Sequence, residues 1–233
     1  MKLTRLIIES TNRAVCFVKK KRRVKRTPFS GSIRINLGSG LAVAKGWINI
    51  DGSLNALFSS MPEFFLKSLY KISGANRYYT CAEYCGLLVN NFYIHHDLSY
   101  GIPFRDKSVD FIYSSHFLEH LFKDDAKNLL KEAYRVLKPE GIIRISIPDL
   151  AYAISLYNKG DKEKMLSSYF FVENVGSYMA RHKYMYDFEL LEKLLLSAGF
   201  SKVIRYSYQQ GICPDIRVLD NRSEDSLFIE ATV

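Results

Sequence analysis

Long apolar runs are absent from this sequence. No stretch reaches the roughly 18–20 uninterrupted apolar residues that a membrane span needs, and the N-terminus carries no apolar core followed by a small-residue cleavage site. A cytoplasmic protein is expected. Cysteine is scarce too: Cys16, Cys81, Cys85 and Cys213 show neither paired CxxC spacing nor the density of a disulfide scaffold, so buried or idle thiols are expected. Cys81 and Cys85 are spaced to share one helix face. Acidic charge is also short, with 24 Asp and Glu against 33 Lys and Arg, for a net charge of +9. The imbalance has a location. Residues 1–30 hold ten basic side chains (Lys2, Arg5, Arg13, Lys19, Lys20, Lys21, Arg22, Arg23, Lys25, Arg26) against Glu9 alone. The remainder holds 33 less 10 basic and 24 less 1 acidic groups, 23 of each. A basic leader therefore precedes an electrically balanced body, and the leader is the part expected to meet a polyanion.

What is present is a chain of 233 residues, 48% hydrophobic, long enough to bury one large core. A leader over 1–30 and one domain over 31–233 are expected. In the leader, Leu3, Leu6, Ile7, Ala14, Val15 and Val18 stand at roughly helical spacing ahead of "KKKRRVKR". That arrangement suits either an amphipathic helix in peripheral contact with an anionic membrane, at its inner face, or a solvated segment packed loosely on the domain.

From Ile33 onward, short β-rich runs alternate with helical stretches, the pattern of βαβ units and a parallel sheet. Strands are expected at 33–37, 47–50, 92–95, 109–113 and 142–147, with two late ones near 203–208 and 227–231. One helix is marked by the apolar stripe Leu129, Leu130, Ala133, Val136 and Leu137, with Asp124 as its cap and "KPEG" as its stop. A second is expected over 188–198, with Asp187 as N-cap and Gly199 just past its end. Insertions near 52–91 and 150–186 are longer than a connection requires. The second leaves the carboxyl end of the fifth strand, where ligands bind in open parallel sheets. Its Tyr152, Tyr157, Tyr169, Phe170, Phe171, Tyr178, Tyr184 and Tyr186 make it the expected helical lid over an acceptor.

The stretch "INLGSGLAVAKGWINID", residues 35–51, carries the first chemical signal. A glycine turn after a strand lets backbone approach a ligand. The dinucleotide fingerprint GxGxxG would need a third glycine at position 43, where Val43 stands, so a pyrophosphate is disfavoured. Asp51, at the end of the neighbouring apolar run, can accept both hydroxyls of a ribose through charge-assisted bonds. A ribose carboxylate beside a turn without phosphate-binding equipment suggests a nucleoside lacking phosphates, of which S-adenosylmethionine is the common one.

Further motifs give this a family context: "HHDL", "PFRDKSVDFIYSSHFLEHL", "EAYRVLKPEG", "HKYMYDFELLEKLLLSAGF" and "SEDSLFIEA". With "LGSG" and "GWINID" they resemble the class I S-adenosylmethionine-dependent methyltransferases over about residues 33–231. Within that class they resemble the small stand-alone type associated with surface polysaccharide biosynthesis. The resemblance implies a Rossmann-like, doubly wound α/β fold whose mostly parallel seven-stranded sheet carries helices on both faces, and S-adenosyl-L-methionine as cofactor. It also implies roles. Leu37, Gly38, Ser39 and Gly40 would form the turn that holds the methionine portion, and Asp51 would bind the ribose. Asp97 and Leu98 would flank the adenine, while Ser115 and His116 would face the sulfonium and the acceptor. Relatives often place an acid just before the turn, where this chain has Asn36.

Methyl transfer from a sulfonium is an in-line displacement dominated by positioning. A base helps when the acceptor is a hydroxyl, and His116 and His182 are the candidates, with His120 read as a packed helix residue. His116 and His120 have the i,i+4 spacing of a zinc pair, but Glu119 is misplaced for HExxH and no third ligand is evident, so no metal is expected. The expected acceptor is a small molecule or glycan: a sugar hydroxyl of a surface glycan or its precursor. A nucleic-acid acceptor is disfavoured because "SSHF" lacks the Asn/Asp-Pro-Pro-aromatic signature of base-amine methylases and the body carries no net positive charge. A non-catalytic binding subunit is the alternative from another class.

Overall fold

The computed structural model describes residues 12, 14–20, 23, 24, 29–171 and 181–233. Its strands are β1 (Arg34–Leu37), β2 (Ile48–Asp51), β3 (Phe92–His95), β4 (Val109–Ser115), β5 (Leu137–Pro148), β6 (Lys202–Tyr206) and β7 (Ser226–Thr232). They form one sheet in the order β3-β2-β1-β4-β5-β7-β6. Every pairing is parallel except those of β7, which runs antiparallel to β5 and β6. The expected strands are all present, and the late pair is the mixed edge of an otherwise parallel sheet. Ile35, Ile48, Ile50, Ile112 and Ile145 are fully buried, as continuous β-branched runs must be when a sheet is covered on both faces. The chain reverses direction across the sheet between β1 and β4. Leu37 pairs with Ile50 on one side and Ser114 on the other, so the carboxyl ends of three strands stand level around this switch point.

Helices α1 (Leu54–Phe58), α2 (Glu63–Ser73) and α3 (Cys81–Val89) follow β2. They are followed in the chain by α4 (Lys123–Val136), α5 (Leu150–Asn158), α6 (Lys162–Met165), α7 (Phe188–Ala198) and α8 (Ile216–Leu219). The stripe of α4 (Ala126, Leu129, Leu130, Ala133, Val136) joins Leu191, Leu194, Leu195 and Ala198 of α7 in the main core. Asp187 caps α7 by accepting from the Leu190 N–H at 2.9 Å, and Gly199 ends it at φ +116°. Asp124 does not cap α4. The N-cap is Phe122, and Asp124 and Asp125 lie inside the first turn, where a carboxylate still favours the positive helix end without closing a cap. "KPEG" ends that helix by opening β5 directly, with Glu140 at φ +64° making the bend.

The segment 52–91 builds a core of its own. Leu66, Leu69, Tyr84, Cys85 and Leu88 pack with Tyr93 of β3, and α3 opens with a capping box between Thr80 and Glu83. In 150–186, Ala153, Leu156, Tyr169 and Met185 likewise form a small cluster. The expected lid is therefore a packed unit at the end of β5. Tyr178 and the rest of 172–180 lie outside the described residues, as do Leu3, Leu6 and Ile7 of the leader.

The described part of the leader lies against the domain. Residues 14–19 are helical with Cys16 buried, Asn12 donates to the Gly52 carbonyl at 2.6 Å, and the Val24 N–H donates to the Pro103 carbonyl at 2.7 Å. Among the described residues no helix is long and apolar enough to cross a membrane. On the far side of the sheet, fully buried Arg144 of β5 pairs with Asp220 at 2.6 Å and Glu230 at 3.0 Å, and Tyr113 donates to Asp220. This closed network fixes β5 against β4 and β7.

Candidate active site

The glycine turn follows β1 at the switch point. Gly38 and Gly40 take φ of +64° and +51°, a region L-residues avoid. At Gly38 space is short as well: a Cβ there would stand 2.2 Å from Cγ of Phe117, whose ring lies on the turn. Asp51, at the tip of β2, accepts from the Gly40 N–H at 2.9 Å through one oxygen and from the Ser53 N–H at 2.7 Å through the other. Each oxygen keeps a second lone pair for a ligand hydroxyl. Asn36 is 99% buried and braces the turn, donating to the Ala42 carbonyl at 2.8 Å and to Asn49 Oδ1 at 3.2 Å. The amide of Asn36 is thus committed to structure.

Further along, Asp97 follows β3 and accepts from the Ser99 N–H at 2.9 Å, while Leu98 turns into the core. The backbone N–H of His96 donates to the Asp51 carbonyl at 3.1 Å, which links the two carboxylate-bearing corners. Burial is the main cause that pushes the Cys16 thiol up, with Asp97 and Asp51 adding to it, and its Sγ lies 3.5 Å from His95 Nε2. His95 joins them, with Nε2 at 2.9 Å from Asn12 Oδ1 and Nδ1 at 3.5 Å from Lys19 Nζ. The hydroxyls of Ser39 and Ser53 are buried without hydrogen-bond partners. A turn that admits no Cβ, a ribose-type carboxylate, a second carboxylate and two orphaned hydroxyls fit S-adenosylmethionine.

The other end of the cleft begins at Ser115, half-buried and paired with Ser146 of β5. His116 takes φ +47°, and its N–H donates to the Ser146 carbonyl at 2.8 Å. This strained backbone aims its ring between Ser226, whose Oγ is 3.1 Å from Nε2, and Glu119, whose Oε1 is 3.5 Å from Nδ1. Arg222 Nη1 lies 3.4 Å from the same Nδ1. Glu119 is 99% buried and neither of its oxygens has a hydrogen-bond partner. His120 Nε2 is 3.8 Å from Glu119 Oε1, and the His120 and His182 rings stand 5.2 Å apart. Burial is the main cause that holds the His182 pKa below its ordinary value. The carbonyl of Glu119 accepts from the Lys183 and Tyr184 N–H groups at 2.7 and 3.2 Å, which ties the end of the tyrosine-rich segment to the end of β4.

Both candidate bases, His116 and His182, therefore meet at one buried acid that sequence reasoning set aside. Its signal was an acid with histidines at i−3 and i+1, read as helix packing because the zinc-protease spacing was wrong. Phe117, which lies on Gly38, carried no signal at all.

Residues 62–145 match the family described as Methyltransferase domain, a stretch from just before α2 into β5 that leaves the glycine turn and Asp51 outside it. The fold is similar to that of a SAM-dependent methyltransferase from Archaeoglobus fulgidus, with a TM-score of 0.50 at 16% identity over 98% of this chain and 94% of that one. It is also similar to the S-adenosylmethionine-dependent methyltransferase SibL in its apo form, with a TM-score of 0.51 at 17% identity over 86% of this chain and 50% of that one. No curated protein matches the sequence. Residues 62–145 thus carry a methyltransferase domain, and the sheet order belongs to a fold similar to that of S-adenosylmethionine-dependent methyltransferases.

Proposed function

We propose that the protein methylates a sugar hydroxyl in a surface glycan or in its nucleotide- or lipid-linked precursor. The observation that carries the oxygen-acceptor part is His116, held at the end of β4 beside the buried carboxylate of Glu119. S-adenosylmethionine supplies, when bound, a methyl group on a positively charged sulfur. The chain supplies the rest. Leu37, Gly38, Ser39 and Gly40 cradle the cofactor's tail, Asp51 holds its ribose hydroxyls, and Asp97 with Leu98 borders its base. Ser115 and His116 face the transfer. A neutral hydroxyl must shed its proton as the new bond forms, and the His116 imidazole is the group proposed to take it, with the Glu119 carboxylate 3.5 Å from Nδ1 to stabilise the imidazolium. His182 is the second candidate base.

The sugar part rests on the tyrosines of 150–186 and on the resemblance to polysaccharide-associated relatives. Tyr169 and Tyr186 are buried in the packing of this segment, and the more exposed Tyr152, Tyr157 and Tyr184 are the faces of the kind that suit the C–H surface of a pyranose. The balanced charge of the body disfavours RNA. The basic leader suits contact with an anionic membrane and so a lipid-linked acceptor on its cytoplasmic face. The test is methyl transfer from labelled S-adenosylmethionine to sugar nucleotides, lipid-linked saccharides and RNA. Methyl ethers on a sugar are expected, with His116→Gln slower by about 10² or more at unchanged cofactor affinity. Methylation of RNA and of no sugar would overturn the proposal.

A further inference from the structure

Glu119 poses a problem that its nearest neighbour, the His116 ring at 3.5 Å that also meets Ser226 and Arg222, solves only when that ring is protonated. A carboxylate 99% buried with both oxygens lacking a hydrogen-bond partner is costly, and such groups are normally paired or bound to a metal. The nearest cationic candidates are imidazoles, and two of them have been oriented by backbone. His120 Nδ1 lies 3.2 Å from the Arg181 carbonyl, and His182 Nδ1 lies 2.7 Å from the Tyr169 carbonyl. A carbonyl only accepts, so each Nδ1 carries the proton and each Nε2 of a neutral ring presents a lone pair. In that neutral form His120 Nε2 stands 3.8 Å from Glu119 Oε1, acceptor against acceptor. One ligand atom from each of Glu119, His120 and His182 lies within 4.8 Å of the other two.

We propose that Glu119, His120 and His182 bind a divalent transition-metal cation. A cation at the centre turns three mutually repelling acceptors into ligands. A small inward movement of the side chains brings the three atoms to about 2.1 Å from a common point. Two imidazoles and one carboxylate suit zinc, manganese, iron or cobalt in preference to magnesium or calcium, which favour oxygen-only shells. The Nδ1–H to carbonyl bonds of both histidines are the outer support that metal-binding imidazoles carry. The site draws on the end of β4 and on the close of the tyrosine-rich segment, so metal would fasten that segment to the sheet. Three protein ligands leave positions open. Resting on the sugar-hydroxyl reading above, the acceptor oxygen would occupy one of them and lose its proton to His116. Its lone pair then forms the O–CH3 bond while the C–S pair returns to sulfur.

The test uses the full chain, stripped with a chelator and titrated with Co2+ followed by optical spectroscopy, and with Zn2+ and Mn2+ followed by calorimetry. One equivalent is expected, with visible ligand-field bands and no near-ultraviolet thiolate-to-cobalt band. Glu119→Gln, His120→Gln and His182→Gln should each weaken uptake by about tenfold or more while S-adenosylmethionine binding and thermal unfolding of the metal-free protein are retained. No uptake by the wild type, uptake indifferent to His182→Gln, or a thiolate band would overturn the site. A metal-binding protein that methylates no sugar would keep the site and remove the acceptor reading. A chelated protein that methylates sugars at full rate would remove the metal's catalytic role.

Discussion

Gly38 carries two constraints at once, and they can be separated. Its φ of +64° penalises any side chain by roughly 1–3 kcal/mol, and a Cβ would also meet the Phe117 ring. Gly38→Ala is therefore expected to lose stability on that scale and to weaken S-adenosylmethionine binding. In a Phe117→Ala background the same change should cost less, because the ring contacts are gone and only the backbone strain and the 2.8 Å approach to Cβ of residue 117 remain. Calorimetric and denaturation measurements on the double-mutant cycle check this. Equal losses in both backgrounds would show that the ring does not rest on the turn. The placement of Gly38 and Asp51 side by side was legible in the sequence because it is local to a strand end and its neighbour. Glu119 was not. Its partners are gathered by the fold, with Arg181, whose carbonyl orients His120, standing 61 residues further along the chain.

At the level of elements, strands and their helices were read well because apolar runs and caps are short-range signals. The whole parallel core falls in this group, as does α7 with its Asp187 cap and Gly199 stop. The cap of α4 was misread because an acid in the first turn and an acid at the N-cap look alike when the boundary is one or two residues uncertain. The leader was read by its charge alone, which reports on partners and says nothing of packing. Asn12, Cys16 and Lys19 all reach the Gly52–His95 corner, next to Asp51. Deleting residues 1–24 is expected to leave the sheet folded by circular dichroism and to lower cofactor affinity by a factor of about 10, the scale of one or two hydrogen bonds. An unchanged affinity would confine the leader to targeting.

For the molecule as a whole, acid stability follows from three imidazoles whose pKa burial lowers, His182 and the neighbours His95 and His96. Burial is the main cause that holds both His95 and His96 below the ordinary histidine range, with the Lys19 ammonium adding to it at His95. The unfolded chain then binds more protons than the folded one as pH falls through about 6.5, so stability is present above that value and is lost below it, toward the depressed folded pKa values. Thermal midpoints should be level above pH 7.5 and decline between about pH 6.5 and 5. His96→Gln, which can still donate to the Gly101 carbonyl, should show a shallower decline; an identical pH profile would remove His96 as a cause. The cofactor site is the claim on which the remaining chemistry depends, and titration calorimetry of S-adenosylmethionine into the wild type, Asp51→Asn and Asp51→Ala tests it most directly. Saturable binding by the wild type is expected, with Asp51→Ala weaker by at least about tenfold, or 1.4 kcal/mol, and Asp51→Asn between them. Equal affinity in all three would contradict the assignment of the cofactor to the cleft between the glycine turn and Asp51.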